Sequence, residues 1–212
     1  MVAAPRDAAP RDAAPRDAAP SDALLDAARA GSPAAFGDLW RALSPAVAGY
    51  VRGRGVRDPE DVTSEVFLAA LQRLPQFIGD GAAFRRWLFT IAHHRAVDQI
   101  RAQARRDEIP YEPDLDTRRA DDVAGEVLTR LEGQQALALL RTLPGDQRDV
   151  LLLRLVADLP VADVAVVLRR SPEAVRQLQV RALARVRRQL AAQSAVPQQS
   201  VTPPTARSIA QT

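Results

Sequence analysis

The side chains best suited to recognition chemistry lie on one arginine-rich segment near the C-terminal end, residues 169–188. This segment carries seven arginines and a single acid. Arginine can hold guanine through two hydrogen bonds, and glutamine can hold adenine in the same way. The side chains with this capacity on the exposed side of the segment are Arg176, Gln177, Gln179 and Arg181. Arg185, Arg187 and Arg188 follow and suit phosphate contacts, so the segment favours duplex DNA binding over an ordinary helical hairpin with a solvated basic side.

A second basic segment, residues 84–106, combines six arginines with one acid. Phe84, Trp87 and Phe89 are interleaved with these charges. Bases stack on aromatic rings while arginines follow the phosphates, so the combination suits single-stranded nucleic acid. The same spacing is also typical of core residues in a helix, and for Trp87 a core position is favoured.

The residues for metal or cofactor chemistry are largely missing. The chain has no cysteine, which excludes a disulfide framework, a thiolate zinc site and a cysteine nucleophile. His93 and His94 are adjacent, so they point to different sides of a helix and cannot bind one metal ion together. No convincing set of nucleophile, base and oxyanion donors is present, so we expect no enzyme activity, no metal and no cofactor.

Three acids near the start of another predicted helix, Glu60, Asp61 and Glu65, admit three roles. A catalytic carboxylate cluster would have to be desolvated in a cleft. Acids in the first turn of a helix complement its dipole, and this role is favoured. An exposed acidic stripe beside apolar residues also suits docking on a basic helical protein, which leaves a partner-binding role open.

Helices must position all of these side chains, because strand signals are nearly absent. Four pairs of a capping residue and a proline predict helix starts: Ser32-Pro33, Ser44-Pro45, Asp58-Pro59 and Ser171-Pro172. The helix that begins at Asp58 carries Val62, Val66 and Leu74 along one apolar stripe. A longer helix is predicted over residues 83–105.

The C-terminal basic segment has the layout of a helix-turn-helix. A short helix is predicted at 161–168, followed by a turn at Arg169 and a long amphipathic helix from Pro172. In this motif the second helix enters the major groove of DNA. If the turn needs a left-handed backbone at Arg169, the arginine costs about 1 kcal/mol there.

Composition divides the chain into two small helical domains, so the predicted fold class is all-α. The predicted first domain, flexible acidic linker and second domain lie at 24–106, 107–126 and 127–193. The whole chain carries a net charge of only +3, but the charge is +4 over residues 34–106, −6 over 107–132 and +5 over 133–193. Two basic domains are therefore joined by an acidic connector.

Both ends of the chain are predicted to be disordered. The arm at 1–23 repeats Ala, Pro, Arg and Asp from Ala4 to Pro20 without a large apolar side chain, and the tail at 194–212 is rich in Pro, Gln, Ser and Thr. The arm has no apolar core of a secretory signal. No run of about 18 apolar residues occurs, so we do not expect membrane insertion. We expect a cytoplasmic location.

Three motifs, taken together, resemble the extracytoplasmic-function (ECF) family of RNA polymerase sigma factors. Residues 58–71 read DPEDVTSEVFLAAL and resemble the DAEDLVQEVFLRAW-type stretch of that family. Residues 84–106 resemble its FRAWLYRIARN helix, and residues 143–154 resemble LPPEQREVLLLR. The helix-turn-helix resembles the family's fourth conserved region. The resemblance covers residues 34–106 and 133–190 in the family's order and spacing.

The resemblance implies a dissociable, non-catalytic subunit of bacterial RNA polymerase. Its first domain would dock on the clamp helices of the largest polymerase subunit, and its second on the flap of the second-largest subunit. The residues expected to bind the clamp helices are Asp61, Glu65, Phe67, Leu68 and Leu71. An anti-sigma factor is expected as a further partner, because this family is commonly held inactive by one.

The resemblance also implies two DNA surfaces for promoter recognition. The basic helix of the first domain would read the minus-ten element as unpaired bases, with the loop 77–83 near a flipped base. The residues expected there are His94, Arg95, Asp98, Arg101 and Arg105. The recognition helix would read the minus-thirty-five element as duplex through Arg176, Gln177, Gln179, Arg181 and Arg185.

This sequence departs from the family pattern at three places. His94 stands where asparagine is frequent, Arg169 where glycine is frequent, and Glu173-Ala174 where Gly-Thr is frequent.

The acidic linker is expected to thread a basic channel of the polymerase and to keep the free domains off DNA. Two alternatives stay open: a stand-alone helix-turn-helix regulator, which would bind duplex DNA tightly without polymerase, and an α-helical protein-interaction module.

Overall fold

A computed structural model describes residues 19–107 and 136–194, and every regular element in these two ranges is helical. The α-helices in chain order are α1 (Asp22–Arg29), α2 (Pro33–Arg54), α3 (Pro59–Arg73), α4 (Gly81–Asp107), α5 (Gly145–Leu155), α6 (Val161–Leu168) and α7 (Pro172–Ser194). A 3-10 turn, Leu74–Gln76, follows α3, and residues 136–141 are also helical. The all-α fold class is confirmed. The predictions for the linker, the tail and most of the repeat arm fall outside the described residues.

Serine caps begin two of the helices as predicted. Ser32 Oγ accepts the backbone N–H of Ala35 at 3.3 Å, and Ser171 Oγ accepts that of Ala174 at 3.1 Å. These bonds satisfy backbone donors that have no partner within the first turn of a helix. At the start of α3, in contrast, the side chain of Asp58 makes no capping hydrogen bond.

The helix start predicted at Ser44-Pro45 is wrong, because both residues lie inside α2. Proline removes one backbone hydrogen bond from a helix interior. Leu43 and Val47 on either side of it are completely buried, and this packing carries the helix through the proline.

The first domain packs α1, α2, α3 and α4 around one apolar core. The predicted stripe is confirmed, since Val62 and Val66 on α3 and Leu74 in the 3-10 turn that follows are all buried. α1 begins at Asp22, slightly before the predicted domain boundary at residue 24, and buries Leu25 against the other helices. None of the helices in the described ranges is long and apolar enough to cross a membrane.

The second domain contains the predicted helix-turn-helix. α6 has the bounds that the sequence pattern predicts, and it buries Val164 and Val167. Arg169 then adopts a left-handed backbone, with φ 52° and ψ 47°. α7 begins at Pro172 and buries Val175 and Ala182.

The two domains pack against each other along α2, α4, α5 and α6, and most of their buried apolar residues form one continuous cluster. The side chains of Arg54 and Asp149 make a buried ion pair across the contact. Arg85 Nε donates to the carbonyl of Ala157 at 2.7 Å. Gly53 allows this approach, because a Cβ there would overlap the side chain of Leu152. The two predicted domains therefore share a packed face.

Candidate nucleic-acid interface

The outer side of α4 presents a row of polar and charged side chains on one exposed face. All five residues predicted to read the minus-ten element are exposed there: His94, Arg95, Asp98, Arg101 and Arg105. Arg95, Asp98 and Arg105 line a shallow hollow together with Glu65 from α3. The nearest nitrogen of Arg95 lies 3.9 Å from a carboxylate oxygen of Glu65. α3 and α4 thus bring predicted polymerase-binding and DNA-binding residues next to each other.

The segment before α4 exposes an apolar side chain to solvent. Ile78 is 94% exposed, whereas its neighbour Phe77 stacks on Trp87 with ring centroids 5.0 Å apart and planes at 29°. Phe84 lies 5.7 Å from Trp87 and is completely buried. The ring of Trp87 therefore packs against the core, as the sequence analysis favours.

Two arginines of the second basic segment face the other domain and contact it. Arg85 is buried and donates to Ala157, and Arg86 pairs with Asp163 of α6 at 2.9 Å. The six arginines counted over residues 84–106 therefore overstate the cationic character of the exposed face. Arg95, Arg101 and Arg105 are the ones among residues 84–105 that remain on it.

His93 and His94 lie in different environments. The Nδ1 atom of His93 is 2.8 Å from the hydroxyl of buried Tyr50, while His94 is exposed. Burial, followed by the nearby charge of Arg54, lowers the pKa of His93 to about 4. Burial also raises the pKa of Tyr50, so the Tyr50 hydroxyl is the donor to a neutral imidazole.

The exposed side of α7 forms a second surface. Arg176, Gln177 and Arg181 line a shallow hollow there, together with Glu173 and Val180. Glu173 holds Arg176 at 3.3 Å, within one turn of the helix. Val180 is 67% exposed, and an apolar side chain at such a place can contact the methyl group of thymine.

Gln179 does not share this hollow. Its side chain is half-buried, whereas Arg185 is exposed further along α7. The structure thus brings together Arg176, Gln177 and Arg181 but places Gln179 away from them. Position 179 is only two residues from 177 and 181, which turns its side chain by roughly 200° around an α-helix.

The polymerase-binding residues predicted on α3 divide into an exposed set and one buried ring. Leu68 is 56% exposed and Leu71 44%, and Asp61 and Glu65 are exposed beside them. Phe67, in contrast, is 1% exposed. Its ring lies 4.5 Å from that of Trp40 and makes an edge contact with Phe36. The prediction that Phe67 is a docking residue is therefore wrong for this arrangement, because its side chain fills the core.

Comparison with known proteins decides between the functions that these surfaces allow. Residues 39–106 match the Sigma-70 region 2 family, and residues 139–188 match the Sigma-70, region 4 family. The ECF RNA polymerase sigma factor ShbA of Streptomyces griseus is 35% identical over 181 residues, covering 77% of this chain and 92% of that protein. This chain belongs to the ECF family of RNA polymerase sigma factors. Sigma factors are the non-enzymatic DNA-recognition subunits of RNA polymerase, so the expectation of no catalysis is confirmed.

One further sequence relative agrees with this assignment of the sigma factor, and one solved structure is similar in fold. The ECF RNA polymerase sigma factor BldN of Streptomyces coelicolor is 34% identical over 163 residues, which cover 76% of this chain and 62% of that protein. The structure of CnrH in complex with the cytosolic domain of CnrY superposes with a TM-score of 0.61 at 28% identity. That superposition covers 81% of this chain and 97% of CnrH.

The sequence of this sigma factor carries signals for some site residues and lacks them for others. Val180 follows Arg176 and Gln177 by one helical turn, which is a readable signal for a shared surface. Nothing local distinguishes Arg85 and Arg86 from the arginines that stay exposed. Their partners, Ala157 and Asp163, lie more than 70 residues away in the sequence.

Proposed function

We propose that this sigma factor directs transcription initiation by binding RNA polymerase core and reading two promoter elements in different states. The minus-ten element is read as an opened strand, and the minus-thirty-five element as duplex. The observation that carries the proposal is the pair of exposed cationic surfaces on α4 and α7, one in each matched sigma region.

The α4 surface suits an opened strand. Arg95, Arg101 and Arg105 are exposed along one side of a long helix and can follow the phosphates. On the same side, His94 can donate or accept a hydrogen bond at an unpaired base edge, and the carboxylate of Asp98 can accept one. Unpaired bases expose faces and edges that a duplex hides, so their capture favours the open state of the promoter.

The α7 surface suits a duplex. α6, the turn and α7 have the helix-turn-helix layout that places a recognition helix in the major groove. Arg176, Gln177 and Arg181 can then meet base edges, and Arg185 a phosphate. Glu173 pairs with Arg176 and orients its guanidinium for contact with a base.

The α3 surface suits the polymerase core. Leu68 and Leu71 form an exposed apolar pair flanked by Asp61 and Glu65. An apolar centre with an acidic rim fits a basic helical partner, as expected for the clamp helices. The second domain is proposed to meet the flap of the second-largest subunit, which family membership supports.

We propose the cytoplasm, where RNA polymerase works, as the location of the protein. We also propose an anti-sigma factor as a further partner. The CnrH structure, which shares this fold at 28% identity, contains the cytosolic domain of a second protein, CnrY. This supports a protein partner that occupies the exposed surfaces when transcription is held off.

Transcription in vitro on a promoter library tests the proposal. RNA polymerase core is combined with the full-length sigma factor, and both promoter elements are randomised. Changing Arg176→Ala together with Arg181→Ala is expected to weaken selection at the minus-thirty-five element by roughly tenfold to a hundredfold and to leave minus-ten selection unchanged. Arg41→Ala is the matched control, since Arg41 pairs with Asp38 on an exposed part of α2. Transcripts without base preference at either element would contradict the proposal.

The stand-alone regulator is distinguished by the need for polymerase. A gel-shift titration of duplex promoter is run with and without core. The sigma factor is expected to bind the duplex weakly alone and tightly with core, whereas equally tight binding without core would favour the regulator.

A further inference from the structure

The loop 77–80, which precedes α4, and the first residue of α4 are both contacted by α1. At the end of α1, Arg29 Nη2 donates to the carbonyl of Gly79, and its guanidinium carbon lies 5.3 Å from the centre of the Phe77 ring. At the start of α1, Asp22 Oδ1 accepts the backbone N–H of Gly81 at 3.0 Å. One short helix thus contacts the loop and the start of α4 through two side chains of opposite charge.

Two glycines in and next to the loop allow close contacts that a Cβ would prevent. Gly79 has φ 151°, where other residues are strained, and a Cβ there would come within 2.8 Å of Ala83 Cβ. A Cβ on Gly81 would overlap the backbone carbonyl of Pro20, which is itself buried just before α1. Both glycines therefore serve the contact with their neighbours.

The loop has little internal support of its own. Asp80 Oδ1 accepts the N–H of Ala83 at 2.7 Å and starts α4, and Phe77 rests on Trp87. Ile78, between these anchors, is 94% exposed. A free loop would sample many backbone conformations, and each residue ordered costs about 1 to 2 kcal/mol of conformational free energy. The contacts from α1 remove this freedom before any DNA is bound.

We propose that Arg29 and Asp22 are positioning residues for base selection at the minus-ten element. They hold the loop so that the apolar side chain of Ile78 stands in a fixed place beside α4, where it packs against an unstacked base. Apolar side chains inserted beside bases are a known means of stabilising unstacked steps. This inference rests on the proposed function, in which α4 faces the opened strand.

Arg29 also pairs with Asp26 in its own helix, with Nη1 2.8 Å from Asp26 Oδ1. This pair is exposed and allows the two contacts of Arg29 to be separated. Removing Asp26 leaves the bond to Gly79, whereas removing Arg29 breaks both. Asp22→Asn keeps an oxygen acceptor for Gly81, and Asp22→Ala does not.

The experiment uses the full-length sigma factor with RNA polymerase core and a library randomised only in the minus-ten element. The variants are Arg29→Ala, Asp22→Ala and Ile78→Ser, and the controls are Asp26→Ala, Asp22→Asn and Arg41→Ala. The readouts are the base preference at each minus-ten position, the total transcript yield and the Tm of each protein. Ile78→Ser keeps the test valid if Arg29→Ala fails to fold, because an exposed tip is free of core packing.

Arg29→Ala, Asp22→Ala and Ile78→Ser are expected to lower the preference at the same minus-ten position by roughly threefold to tenfold, while the controls keep the wild-type preference. Unchanged preference with a lowered Tm, or a uniform loss of transcript, would show a structural role alone and overturn the inference. Unchanged preference in Ile78→Ser would also overturn it. A wild-type protein without any minus-ten preference would overturn the proposed function as well, which separates the two failures.

Discussion

Phe67 and Leu71 are one turn apart on α3, yet they have different physical roles. Phe67 is enclosed by Trp40 and Phe36 and contributes to the stability of the first domain. Leu71 keeps nearly half of its surface in water and can contribute to binding a partner. Loss of each side chain should therefore affect a different measurement.

Phe67→Ala is expected to lower the free energy of unfolding by about 3 to 5 kcal/mol, because it leaves a cavity in the core. Leu71→Ala is expected to change it by less than about 1 kcal/mol and to weaken the binding of polymerase core instead. Chemical denaturation and a core-binding titration measure the two effects. A loss of core affinity in Phe67→Ala at full folded stability would contradict this division.

His93 provides a pH dependence of stability with a definite sign. Its pKa is about 4 in the folded protein, whereas the usual pKa of a histidine is 6.5. The unfolded chain therefore takes up a proton first as the pH falls. The contribution of His93 to the free energy of unfolding is therefore fully present above pH 6.5. It is lost as the pH falls from 6.5 to 4, and the loss is roughly 1 to 3 kcal/mol.

His93→Gln is expected to remove that part of the pH dependence, because glutamine does not titrate. The measurement is the free energy of unfolding at several pH values between 4 and 7 for the wild type and the variant. His94→Gln, at the exposed neighbour, serves as the control and should keep the wild-type slope. Parallel curves for His93→Gln and the wild type would exclude His93 as the source.

At the level of elements, the turn between α6 and α7 decides where the recognition helix points. The N–H of Arg170 bonds to the carbonyl of Ala165 at 2.9 Å, and that of Arg169 to Val166 at 3.2 Å. This pattern closes the end of α6 and requires a left-handed residue at Arg169. Arg169 therefore has the left-handed backbone for which we expect a cost with any residue other than glycine, and the arginine is strained there.

Arg169→Gly is expected to raise the free energy of unfolding by about 0.5 to 1 kcal/mol, since glycine adopts this backbone conformation without strain. Thermal unfolding measures the change. Arg170→Gly next to it is the control, and it should not stabilise the protein. A destabilised Arg169→Gly would show that the arginine side chain contributes more than its backbone costs.

For the whole molecule, the contact between the two domains contains charges that are removed from water. Arg54 and Asp149 pair there, and burial raises the pKa of Asp149 although Arg54 opposes this. Burial, followed by the charge of Arg54, also lowers the pKa of Arg148 beside them. Such a pair adds little net stability but makes the loss of either partner costly.

Asp149→Ala is expected to lower the free energy of unfolding by about 3 to 5 kcal/mol, because the buried charge of Arg54 loses its partner. Replacing both residues, as Arg54→Met with Asp149→Leu, should restore most of the loss. Denaturant unfolding of Arg54→Met, Asp149→Leu and the double variant that combines them forms a double-mutant cycle. Additive effects of the two substitutions would show that the pair is not coupled.

Local features of this protein could be predicted from its sequence because short-range forces set them. The bounds of α6, the cap at Ser171 and the stripe on α3 follow from capping chemistry and from helical periodicity. The motifs of both sigma regions were also recognisable without a structure, since each is contiguous in the chain.

Only the tertiary structure decided which side chains of a helix stay available. Periodicity shows that residues share a side, but not what packs on that side. Pro45 lies inside a helix because Leu43 and Val47 are buried around it. Arg85 is withdrawn from the basic face by the carbonyl of Ala157, 72 residues away, and the loop at Ile78 is held by Arg29, about 50 residues before it. Contacts between parts so distant in the sequence leave no local pattern, so the number of arginines was readable from the sequence but their assignment to DNA or to packing was not.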